Sequence, residues 1–184
     1  MHPTDDLRGE HTAMKIILHS IKKLILELQS SDSPDLFRIS QIVEFLKIYT
    51  INCHYEKEEK GLFAALLELE QPHLTKTIEQ LIADHSIARR YIEELISNLN
   101  KYLIGQYLSI KNISNSFSDF VALEEQHMRV EDTVIIPYSE RLLTESRLHT
   151  IASDIKLIQD EQVGSENHFE FYKFLNQLYL ENIE

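Results

Sequence analysis

The stretch His54-Tyr-Glu-Lys-Glu58-Glu59-Lys-Gly-Leu62-Phe63 has a counterpart later in the chain, His127-Met-Arg-Val-Glu131-Asp132-Thr-Val-Ile135-Ile136. In both, a histidine is followed four residues on by a glutamate, then by a second acid, then by apolar residues. Four residues on an α-helix amount to about 40° of rotation and about 6 Å of rise, so imidazole and carboxylate share a face and reach a common point. The apolar residues around each pair have helical spacing. Ile51, His54, Glu58, Leu62, Ala65 and Leu69 form one face, and Phe117, Phe120, Leu123, His127, Glu131 and Val134 form the other.

Outward from these two stretches the chain continues in helices, and no segment alternates with period two. A first helix is expected from about Asp6 to Gln29, with Met14, Leu18, Ile21, Ile25 and Leu28 as its stripe and His11 extending that stripe towards the N-terminus. Pro34 breaks the chain before a second helix from about Leu36 to Leu69. Gln71-Pro72 starts a third, reaching about Lys101, with the face Ile78, Ile82, His85, Ala88, Ile92 and Leu95. The fourth begins after Gly105 to Lys111 and reaches Ile136, where Pro137 is expected to stop or kink it. Two more helices follow, near Ser146 to Gln162 and Ser165 to Leu180. Four long helices with short connections imply an all-α four-helix bundle, because each apolar stripe needs a partner. Residues 1–184 are read as one domain, with a bundle core over about 6–140 and a helical extension over about 145–184.

Composition narrows the chemistry. Only four glycines are present, with no G-x-G or G-K-[ST], so a phosphate-cradling loop is not expected. A net charge of −12 argues against a nucleic-acid surface or an anionic membrane partner. The single cysteine, Cys53, excludes a disulfide framework and thiolate metal sites, and is expected to be a small buried hydrophobe. The acidic start has no signal-peptide character and no apolar run is long enough for a span, which points to the cytoplasm.

Each of the four bundle helices thus carries one histidine on its inner stripe: His11, His54, His85 and His127. Glu58 and Glu131 join them one turn after the second and fourth. The His-x-x-x-Glu pair says little alone, since the chain has nine histidines and 30 acids. The repeat says more: His11 to His54 spans 43 residues, His85 to His127 spans 42, and an acid (Glu10, Asp84) precedes the first histidine of each hairpin. Two copies of a helical hairpin would place four His and two Glu around a pair of metals, whose charge removes the cost of burying them. The remaining histidines, His2, His19, His73, His149 and His168, are expected outside the site. Glu10 and Asp84 are read as electrostatic help to helix starts, Glu56, Lys57, Glu59 and Lys60 as a charged outer face, and Glu124 as solvated, with an inward position as the alternative. Phe169, Phe171, Tyr172, Phe174 and Tyr179 make the last helix extra core, or else a homodimer contact.

The pattern H…HxxxE…H…HxxxE, filled by His11, His54, Glu58, His85, His127 and Glu131, resembles the hemerythrin-like, or HHE cation-binding, domains over roughly residues 8–140. The resemblance implies an antiparallel up-down bundle around a non-haem di-iron centre, with Glu58 and Glu131 bridging and the histidines terminal. Oxygen-carrying hemerythrins have a second histidine four residues after the first on the third helix. Arg89 stands there, which argues against reversible oxygen carriage. The six-ligand set is more similar to bacterial hemerythrin-like proteins, iron-sensing domains and the catalytic part of repair-of-iron-centres proteins. Such a ligand set fills about eight of roughly 12 octahedral positions and a solvent bridge two more, leaving about one open per metal for oxygen, peroxide or nitric oxide. The implied cofactor is two iron ions, with Mn or Zn as alternatives. Iron donation or repair of iron–sulfur centres, and a metal-stabilised regulatory module, are the competing functions.

Overall fold

The computed structural model describes residues 3–30 and 34–183, and the side chains of all of these except 165–169 and 181–183. Among them there is no strand. Helix α1 is Pro3–Ser30, and its first turn carries Asp5 and Asp6 at the positive end of the helix dipole. Helix α2 runs continuously over 36–67, opened by Asp35, whose side chain accepts the Arg38 N–H at 3.0 Å. Helix α3 is Pro72–Leu103, with proline in its first turn. Helix α4 runs over 109–142, α5 is Glu145–Gln162 and α6 is Gly164–Ile183.

Two of these helices are not α-helical throughout. Helix α2 has π geometry over Leu46–His54 and again over Glu58–Phe63, separated by one α turn, Tyr55–Lys57. Helix α4 is α over Ser109–Val130, π over Glu131–Ile135 and α again over Ile136–Leu142. Of the two outcomes expected at Pro137, a stop is corrected: the helix continues through it. The Ile136 N–H bonds to the Glu131 carbonyl five residues back, and Pro137 opens the next α segment, where a missing N–H and a fixed φ are tolerated. The wide turn inserts one residue into the register. Ile135 and Ile136 are therefore buried where Val134 was expected, and Val134 is half-buried.

Helices α3 and α4 form a tight hairpin and α1 lies against α4, while α5 and α6 cover the seam between α1 and α2. The apolar core is in two parts. One contains Met14, Ile17, Leu18, Ile21, Phe45, Leu46, Ile92, Leu95, Phe117 and Phe120; the other contains Leu7, Leu62, Phe63, Leu74, Ile78, Leu81, Ile135, Ile151 and Ile155. Phe171 and Phe174 of α6 pack on the first, with ring centroids 5.4 and 6.2 Å from Phe45. Tyr172 and Tyr179 are exposed, and the side chain of Phe169 lies outside the described residues.

Phe45→Ala removes a fully buried ring and should cost about 3–5 kcal/mol in urea unfolding. Because Phe171 and Phe174 lean on that ring, α6 amides should lose hydrogen-exchange protection in the variant ahead of those in α3 and α4.

Candidate metal centre

Between the two apolar clusters lies a polar one. His11, His54, Glu58, His85, His127 and Glu131 are each at most 1% exposed. Their inward atoms form two groups, His11, His54, Glu58 and Glu131, and Glu58, His85, His127 and Glu131. The carboxylates are shared in a specific way. Glu58 turns Oε1 to His54 Nε2 at 3.3 Å and Oε2 to His85 Nε2 at 3.2 Å. Glu131 turns Oε2 to His11 Nε2 at 3.2 Å and Oε1 to His127 Nε2 at 3.2 Å. Each glutamate thus gives one oxygen to each histidine pair.

Six-coordinate bonds of about 2.1 Å at right angles put neighbouring donor atoms about 3 Å apart, the spacing found here. His85 Nε2 and His127 Nε2 are likewise 3.1 Å apart. His11 Nε2, His54 Nε2, Glu58 Oε2 and both Glu131 oxygens are buried without a hydrogen-bond partner, which a cation would relieve. The donor set is all nitrogen and oxygen. A metal ion fits these residues.

The outer nitrogens are held by a second ring of carboxylates. His11 Nδ1 is 2.7 Å from Asp132, His54 Nδ1 is 2.8 Å from Glu10, and His85 Nδ1 is 2.7 Å from Glu59. His127 Nδ1 faces Asp84 at 3.7 Å, beyond hydrogen-bond distance. A carboxylate only accepts, so the three bonded rings donate from Nδ1, and an Nε2 lone pair is left for the centre. The ring follows the repeat. Glu10 and Asp84, each before a histidine, face the second histidine of their own hairpin; Glu59 and Asp132, each after a glutamate, serve the first histidine of the other hairpin. Cations sit behind: Lys15 on Asp132 at 3.0 Å, Arg89 on Glu59 at 2.9 Å, and the buried Lys57 on Glu10 and, at 3.1 Å, on Asp6.

Several expectations change here. Lys57 is fully buried, and Glu59 is a partner of His85, so neither belongs to a solvated outer face. Helix α5 covers that side of α2, and Gln159 accepts from Lys57 at 2.7 Å. Glu10 is also buried, pairing with His54 beyond any role at a helix start. Glu124, expected at the solvated face, is 1% exposed and takes the hydroxyl hydrogen bond of buried Tyr55. Cys53 is buried as expected, and burial pushes its thiol up to about 12. His19, His73 and His149 are exposed, while His2 and the side chain of His168 lie outside the described residues. The doubled acids of the repeat were the visible signal for the outer ring.

Electrostatics follow this geometry. Burial opposes charge on His11, but Asp132, Glu131 and Glu58 overcome it and raise the ring to about 11. His85 and His127 are raised in the same manner, the latter strongly, against burial and by their glutamate and aspartate neighbours. Burial likewise disfavours the Glu58 carboxylate, yet four surrounding imidazoles hold it well below the usual range. Burial raises Glu10 and the His54 and Lys57 contacts outweigh it, so it is lowered. With no ion bound, His11, His85 and His127 thus favour their protonated forms.

The profile of the hemerythrin HHE cation-binding domain matches residues 2–139 of the chain. The chain belongs to that family. Among curated proteins and among solved structures, no match was found. In this hemerythrin-type domain the buried His/Glu cluster lies within the matched segment, as a cation-binding site requires.

Ion binding to the domain should displace the imidazole protons. Without metal, the share of stability from His11, raised from 6.5 to about 11, is complete below pH 6.5 and is lost as pH climbs towards 11. The share from Asp132, lowered from 3.8 to about 2, is present above pH 3.8 and lost as pH falls towards 2. The metal-free domain should therefore be most stable between about pH 4 and 6.5 in urea titrations, and metal affinity should rise with pH. Calorimetry in buffers of different ionisation enthalpy should register proton release on metal binding. Glu10→Ala and Asp132→Ala should each weaken metal binding by about 10- to 100-fold in chelator competition.

Proposed function

We propose that this chain is a non-haem di-iron protein of the six-ligand type that binds, senses or reduces a small oxidant (oxygen, peroxide or nitric oxide) at an open di-metal position. One observation carries the reading: Glu58 and Glu131 each present one oxygen to each histidine pair. His11 and His54 would hold one ion, His85 and His127 the other, and the two glutamates both. Nitrogen and oxygen donors without thiolate suit iron or manganese; zinc also accepts such ligands, but paired shared carboxylates favour a redox metal. Iron, when bound, supplies electrons and Lewis acidity to the oxidant.

The protein residues do the rest. The outer carboxylates fix each ring's orientation, and Lys15, Arg89 and Lys57 keep those carboxylates from accumulating negative charge. The two apolar clusters keep bulk water from the centre. No helix of the described residues is long and apolar enough to cross a membrane. The same reading treats residues 1–184 as one cytoplasmic domain without a nucleic-acid surface.

Aerobically purified protein should contain two irons per chain and absorb in the near ultraviolet. His54→Ala should lose at least one of the two and reduce the absorption. Absence of iron from the wild type, together with no change in metal content or spectrum in the variant, would reject the reading.

A further inference from the structure

The ligand groups and their outer carboxylates come in matched pairs, one from each hairpin. Tyr55 and Glu124 do not. The residue after His54 is Tyr55, and its counterpart after His127 is Met128; the residue three before His127 is Glu124, and its counterpart three before His54 is Ile51. At each matching sequence position the other hairpin thus carries an apolar side chain in place of the phenol or the carboxyl group. Burying such groups is costly.

Their placement suggests a use. The Tyr55 ring stacks on His85 with centroids 3.7 Å apart, and lies 6.0 Å from His127 and 6.1 Å from His54. Its hydroxyl donates to Glu124 Oε1. Glu124 Oε2 is buried without a partner, and Glu124 belongs to neither of the two donor groups. Glu124 lies one helical turn before His127 and is within electrostatic reach of His127, His54 and His85, so one oxygen of a fully buried side chain near the centre remains unsatisfied.

Resting on the di-iron reading above, we propose that Glu124, held by Tyr55, is the polar wall of the exogenous-ligand pocket and selects hydrogen peroxide over nitric oxide. Peroxide both donates and accepts hydrogen bonds, so it satisfies Oε2 whether Glu124 is a carboxylate or a carboxylic acid. Nitric oxide has no hydrogen to donate and is a weak acceptor. The pair acts by binding, and no bond is made or broken on it.

The test uses the iron-loaded full chain, hydrogen peroxide and nitric oxide as probes, and the double variant Tyr55→Phe/Glu124→Ile, which replaces both polar groups by apolar ones. Iron content should match the wild type, and the melting temperature should not fall, because two buried polar groups are exchanged for apolar ones. The KM for peroxide should rise about tenfold, the size of one lost hydrogen bond, while nitric oxide affinity stays within about twofold. Glu124→Gln, whose amide still donates and accepts, should retain most of the peroxide affinity.

An unchanged peroxide KM, a parallel loss of nitric oxide affinity, or a melting temperature that drops with loss of iron would overturn the proposal. A wild-type chain that carries iron but does not consume peroxide would overturn it and leave the di-iron reading standing. A wild-type chain without iron would reject that reading, and this inference with it.

Discussion

Water is excluded from a space that holds four imidazoles and two carboxylates, and the rest of the structure answers to that exclusion. Ionised groups in such surroundings must be paired or bind a metal. The bundle meets the demand in concentric layers: glutamates between the histidine pairs, carboxylates behind the rings, ammonium and guanidinium groups behind those carboxylates. Charge alternates outward from the centre, so that no layer is left uncompensated. The apolar clusters above and below close the ends and keep the local dielectric low, which strengthens every contact inside.

The layers come from two hairpins that exchange support. Asp132 on α4 holds His11 on α1, and Glu59 on α2 holds His85 on α3. Each hairpin therefore orients a histidine of the other, and the cluster exists only when both are assembled. The departures from this symmetry are few and lie at its edges. Lys57 has no counterpart and owes its burial to α5, and the Tyr55–Glu124 pair occurs once. A cavity of about 830 Å³ between α1, α5 and α6 has Glu10 in its wall, so the His54 side of the centre stands one hydrogen bond from an open space.

Much of this was legible in the residues. Helical stripes located all six helices of the described residues, and the repeated His-x-x-x-Glu, together with the acid-preceded His11 and His85 at matching distances before it, located the six inward groups. Three things were hidden, each for a physical reason. Which histidine each outer carboxylate faces depends on helices meeting across the bundle, and no local spacing contains that. Lys57 sits in a run of charges that reads as solvated, and only a helix about a hundred residues later covers it. The π turns carry an extra residue per turn, so a search at period 3.6 places the residues beyond Glu131 one position out of phase.

Those turns bear on how the centre is held. Glu58 and Glu131 each stand at the first residue of a π segment, where the backbone widens and its hydrogen bonds span five residues instead of four. Of the four histidines, His11, His85 and His127 sit in α-helical turns, while His54 closes the first π segment of α2. Both shared carboxylates are thus mounted at the points where their helices begin to widen. The extra residue taken up there turns the next stretch of each helix, so the aim of a carboxylate at the centre and the packing of the apolar residues beyond it are set by the same wide turn.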